Sequence, residues 1–85
     1  MRAWAVLLAH DHPEPHLDLI IAHGRRCPTL RIDARGATWA APHRRHYLTY
    51  RGPVPGGRGR VAPVWRGWVV VTAREVRPCD APVRR

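Results

Sequence analysis

The sequence predicts an all-β protein: a small β-barrel or a strongly curved antiparallel sheet with little helix. Three observations lead there. About six short runs are apolar, alternating or β-branched. Gly and Pro separate them, seven and nine of each in 85 residues. No stretch carries the 3.6-residue apolar period of an amphipathic helix.

Residues 4–9, WAVLLA, are the first expected strand, apolar enough to be buried on both faces. Residues 10–15 are a loop in which Pro13 and Pro15 force an extended, non-helical path. Residues 16–22 are the second strand. Leu17, Leu19 and Ile21 alternate there with His16, Asp18 and Ile20, and period two sends the two sets to opposite faces. A turn centred on Gly24 leads to the third strand, residues 27–33, with Leu30 and Ile32 on one face and Arg31 and Asp33 on the other. Residues 34–45 are the least regular; a short helical turn over 38–41 is expected, stopped by Pro42. HYLTYR, residues 46–51, reads as a fourth strand, with His46 and Tyr50 on one face by parity. Residues 52–59 form a Pro/Gly corner. Residues 60–65 and 68–73 are two further strands, split by Arg66 and Gly67. The division is one domain, residues 1–76, and a mobile Pro- and Arg-rich tail, residues 77–85. There is no internal repeat.

The chain has no Lys, Asn, Gln, Ser or Phe, and all fifteen of its basic residues are Arg. A GC-rich genome imposes that choice, so Arg in place of Lys carries no functional weight. The net charge of +9 does: it favours polyanions, nucleic acid first and anionic membrane second. The membrane option fails for want of a spanning apolar run or a basic amphipathic helix. Residues 3–9 have the character of a short signal-peptide core, but they run straight into a histidine cluster, and a cytoplasmic location is expected. Cys27 and Cys79 are widely spaced, neither in a CxxC pair, and read as free thiols in a reducing compartment. A monomer is expected.

HDHPEPHLDLII, residues 10–21, holds three of the six histidines. His16 and Asp18, two apart on one strand face, are close enough to share an ion, and a hairpin-like return brings His10 beside them. His10, His16 and Asp18 therefore read as a metal triad. The bland alternative is three polar residues on a loop and a strand edge. With imidazole and carboxylate donors and no thiolate, such a set accepts Mn, Fe, Co or Zn. It leaves coordination positions open to clamp a phosphate oxygen and activate water. A non-haem iron oxygenase uses a similar donor set but needs a far longer chain. His12 is an alternative ligand if the register slips; His23 and His43, in turns, receive no role. Residues 52–59 are Gly-rich but lack the Gly-Lys-Ser/Thr of a phosphate-binding loop. Arg25, Arg26, Arg31, Arg44, Arg45, Arg51, Arg58 and Arg60 are candidates for a nucleic-acid surface, since the guanidinium fork binds phosphate bidentately. The four Trp residues are expected in the core.

HDHPEPHLDLII, RRHYLTYRGPVPGGRGRV and VWRGW, in that order, resemble the 3′-phosphoesterase domain of bacterial DNA ligase D, and still more its short stand-alone relatives. The matched features are His10, His16 and Asp18; then His46 and Tyr50; then Gly52, Val54, Pro55, Gly57, Gly59 and Val61; then Trp65 and Gly67. The resemblance covers residues 4–71. It implies a β-barrel-based fold and a manganese-dependent enzyme, with Zn²⁺ or Co²⁺ as other ions. That enzyme removes a terminal ribonucleoside and then a 3′-phosphate from DNA, in end repair beside an end-joining ligase or polymerase. It implies that His10, His16 and Asp18 hold the metal, that His46 engages the scissile phosphate and that Tyr50 shares its pocket. Arg31, Arg44, Arg45 and Arg58 are the candidate phosphate contacts. The chain departs from the pattern at Ile20, where the family has a phosphate-contacting Arg, at Arg45 and Arg51, where it has acids, and at Arg66, which directly follows Trp65. A non-catalytic nucleic-acid-binding module that keeps the scaffold is the second reading. A docking subunit of an end-repair complex is the third.

Overall fold

Period-two alternation in the first half of the chain dictates the centre of the sheet. The structure, a computed structural model, describes residues 1–79. Seven strands form one antiparallel sheet: β1 (Arg2–His10), β2 (His16–Ile21), β3 (Arg26–Asp33), β4 (Gly36–Arg44), β5 (Gly52–Pro53), β6 (Arg60–Val71) and β7 (Val76–Pro78). Their order is β4-β3-β2-β1-β6-β5, with β7 also on β6. The all-β expectation holds. The sheet is open, with β4 ending one side and β5 and β7 the other, so it is not a closed barrel.

Both faces of the central strands are covered. On one, Val6, Leu8, Ile20, Cys27 and Val61 pack beneath Leu48, with Tyr47, Tyr50 and Val54 closing over them. On the other, Ala3, Ala5, Leu19, Ile21 and Val69 pack with Leu7, Leu30 and Ile32. The two sets alternate along β1 and β2, as the pleat requires.

Four expectations are corrected. Residues 36–44 are an edge strand, not a helical turn; the Ala-rich, almost wholly exposed β4 has no apolar period to announce it. Pro42 sits there at a register shift against β3, the kind of position a sheet tolerates for a residue without an N–H. Residues 46–51 are not a strand: Arg45–Leu48 form a single 3₁₀ turn that drives Leu48 into the core. Residues 60–71 are one strand, not two. The irregularity lies at Val64, the extra residue between Trp65, opposite Leu7, and Pro63, opposite Leu8. Gly67 continues the strand because the Trp65 ring lies where a Cβ would stand. Finally, Trp4, Trp39, Trp65 and Trp68 are not core residues; they are 36% to 54% exposed. Small aliphatic side chains already fill the narrow space over the sheet. Trp4 and Trp68 instead meet edge to face at 5.5 Å, with the Arg2 guanidinium 5.7 Å from the Trp68 ring.

Both cysteines are free, Cys27 buried and Cys79 partly so. The tail expected from residue 77 begins inside β7, and residues 80–85 lie outside the described residues. Among the described residues no helix is long and apolar enough to cross a membrane.

Candidate metal centre

The β1–β2 hairpin builds the centre. Its antiparallel register sets His10 directly opposite His16 and Leu8 opposite Asp18. The connecting loop is pinned to β6: the Arg60 backbone N–H donates to Asp11 Oδ1 at 2.8 Å. Gly59 makes this possible, since it has a positive φ of 76° and a Cβ there would overlap Asp11 and His12. One ligand atom each from His10, His16 and Asp18 lies within 4.8 Å of the others. The triad read from the sequence is therefore assembled.

The hydrogen bonds around it fix which nitrogen faces inward. The His10 Nε2–H donates to the Arg58 carbonyl at 2.8 Å, which turns Nδ1 toward Asp18 Oδ2 at 3.6 Å. The His16 Nδ1–H donates to the Glu14 carbonyl at 2.8 Å, which turns Nε2 toward the same oxygen at 3.2 Å. A backbone carbonyl only accepts, so each outer nitrogen carries the proton and each inner nitrogen of the neutral ring presents a lone pair. Lone pairs aimed at a buried carboxylate repel it unless a positive charge lies between them, either a metal ion or a proton on the inner nitrogen, which at His16 Nε2 would donate to Asp18 Oδ2 at 3.2 Å. Asp18 is 4% exposed and His16 9%, so water cannot easily substitute. Outer N–H groups tied to carbonyls, with inner lone pairs converging, are the arrangement a bound metal uses to orient imidazoles. The donor set fits a first-row divalent ion; it does not by itself choose manganese.

A cleft of about 730 Å³ opens over the triad, with Arg31, Arg44, Arg58, His43 and His46 on its walls. Three of the four candidate phosphate contacts are thus beside the centre. Arg31 stands opposite Asp18 on β3, though its Nε also pairs with Asp33 at 3.4 Å. The Arg58 Nε donates to the Pro55 carbonyl at 2.9 Å. Arg45 is turned away: its guanidinium donates to the Gly24 carbonyl at 3.1 Å. No family model, curated protein or solved structure matches this chain. The centre therefore rests on its own geometry.

His46 and Tyr50 are neighbours, but by a different route from the one expected. The 3₁₀ turn, not strand parity, brings their rings to 5.6 Å, edge to face. His46 is exposed at the cleft mouth. Tyr50 lies outside the cleft lining; its hydroxyl donates to the Pro53 carbonyl and holds the Pro/Gly corner.

The residue that sequence reading missed is His43. Its Nε2 lies 3.9 Å from Asp18 Oδ2, and its Nδ1 is 2.9 Å from Thr29 Oγ1. Burial holds it below the usual imidazole range, outweighing the pull of Asp18. Its place depends on one register shift. From the Asp33–Gly36 end of the hairpin, Thr29 faces Ala40, but Cys27 faces His43 rather than Pro42. The one-residue slip, at the two prolines Pro28 and Pro42, moves His43 onto the Asp18 face. The two prolines were the only available signal.

Proposed function

We propose that this chain is a metal-dependent phosphoesterase acting on the 3′ ends of DNA, with Mn²⁺ as its ion and an end-joining ligase or polymerase as its working partner. The observation that carries it is the inward-facing His10, His16 and Asp18 at the floor of an arginine-walled cleft. The resemblance to the ligase D phosphoesterase domain supplies the substrate class, and the net charge of +9 agrees with a polyanion. A divalent ion held there supplies Lewis acidity at a phosphate oxygen. Arg31, Arg44 and Arg58 supply guanidinium donors for the non-reacting phosphate oxygens. His46 at the mouth is free to hand a proton to the leaving oxygen. Tyr50 keeps the corner beside it in shape. The expected result is Mn²⁺-dependent release of 3′-phosphate from a recessed primer end, lost in Asp18→Ala. Absence of turnover with Mn²⁺, Co²⁺ and Zn²⁺ alike sinks the proposal.

One observation favours a second reading, a nucleic-acid-binding module without catalysis. Ile20 is fully buried on the Asp18 face, so that strand offers no cation to phosphate. This reading expects salt-sensitive DNA binding that survives Asp18→Ala.

A further inference from the structure

Three imidazoles, not two, point at Asp18. The Thr29 hydroxyl has a single proton, and it donates it to the Cys27 carbonyl at 3.1 Å. Its oxygen, 2.9 Å from His43 Nδ1, is left to accept from that nitrogen. His43 is then the Nδ1–H tautomer, and its Nε2 lone pair faces Asp18 Oδ2. This repeats the device at His10 and His16: an outer N–H held by a neighbour, an inner lone pair aimed at one carboxylate oxygen. The inner nitrogens stand 3.6, 3.2 and 3.9 Å from Oδ2. Metal–ligand bonds of about 2.1 Å set neighbouring ligand atoms roughly 3.0–3.5 Å apart. His43 stands outside the 4.8 Å grouping of His10, His16 and Asp18, so its ring must move inward by roughly an ångström or more to join them.

We propose that His43 is a fourth ligand, making the centre a three-histidine, one-aspartate site for a first-row divalent ion, with Thr29 as its positioning residue. The proposal rests on the metal-centre reading above and extends it. A third imidazole strengthens the set's preference for Zn²⁺, Co²⁺ or Mn²⁺ over Mg²⁺ and Ca²⁺. It also makes β4, through the register shift at Pro28 and Pro42, part of the metal centre rather than a mere sheet edge.

The test is metal binding by the full chain, with Co²⁺ as spectroscopic probe and Zn²⁺ affinity read by competition with a chromophoric chelator. His43→Ala is expected to lower Zn²⁺ affinity by roughly 10–100-fold and to alter the visible Co²⁺ bands. Thr29→Val, which removes the hydroxyl that accepts from His43 Nδ1 and donates to the Cys27 carbonyl, is expected to lower affinity by up to roughly 10-fold. The wild-type protein serves if His43→Ala does not fold. On Zn²⁺ addition its ¹⁵N histidine spectrum is expected to lose three lone-pair nitrogen signals, from His10, His16 and His43. Wild-type binding with unchanged affinity and bands in His43→Ala, or with only two nitrogens perturbed, overturns the fourth ligand and leaves the triad standing. No binding of Co²⁺ or Zn²⁺ by the wild-type chain overturns both.

Discussion

The two faces of β2 share six residues and almost nothing else. One presents His16, Asp18 and Ile20, the other Leu17, Leu19 and Ile21. Both are largely buried, but burial does different work on each. The leucine face is held by apolar area removed from water, a non-directional force that tolerates any well-fitting neighbour. The histidine face buries a carboxylate among imidazoles, where directional hydrogen bonds and charge pairing rather than apolar area decide what fits. Stability is therefore expected to reside on one face and binding on the other, and substitutions should separate them.

The largest effect is expected from Asp18→Ala. It removes the one oxygen on which all three imidazoles converge, so metal uptake should fall below detection while a folded thermal transition persists. Retained Zn²⁺ binding in this variant would show that the histidines alone make the site. Next comes Ile21→Ala, which truncates a side chain 1% exposed on the opposite face. It should cost roughly 2–5 kcal/mol in denaturant unfolding, with metal affinity of the folded fraction unchanged. A parallel loss of affinity would dissolve the contrast between the faces.

A smaller effect comes from pH. Burial depresses His43 below its ordinary value of 6.5. The unfolded chain then takes up the proton first, so stability rises with pH in that window. Chelator-treated protein should be fully stabilised above about pH 6.5 by this group. It should lose that contribution as pH falls through the lower folded value, and the loss should be absent in His43→Phe. The smallest effect belongs to Asp33, at the β3–β4 turn. The Arg35 backbone N–H donates to its Oδ1 at 2.8 Å and, with Arg31 nearby, holds the carboxyl below its usual range. Asp33→Asn should weaken the hairpin slightly at neutral pH. The difference from wild type should vanish in acid, below the depressed value, where the native carboxylate is itself protonated.

What was legible in the sequence divides along similar lines. β1 announces itself as a continuous apolar run, which burial on both faces demands, and β2 and β3 by period-two alternation. Spacing puts His16 and Asp18 on one strand face, and the later motifs in register tip the reading of His10, His16 and Asp18 toward a metal triad. β4 could not be read, because an exposed edge strand places no demand on polarity and Ala37, Ala40 and Ala41 favour helix locally. His43 went with it, since its face is decided by a one-residue slip between two prolines. HYLTYR misled for a related reason. Its composition suits a strand, but burying Leu48 alone needs one turn, and tertiary packing overrode local preference. The tryptophans, expected in the core of so small a domain, stay at the surface because the sheet has too little depth to admit them.

Arg58 joins the two halves of the cleft in a way that composition could never express. Its backbone carbonyl aligns the His10 ring, while its side chain stands on the wall where an anion would lie. One residue thus touches both the candidate metal ligands and the cleft wall. A backbone shift at Arg58 that moves its carbonyl would therefore also reorient the His10 ring. By thermodynamic reciprocity, whatever free energy couples the anion to the cation is felt equally by each.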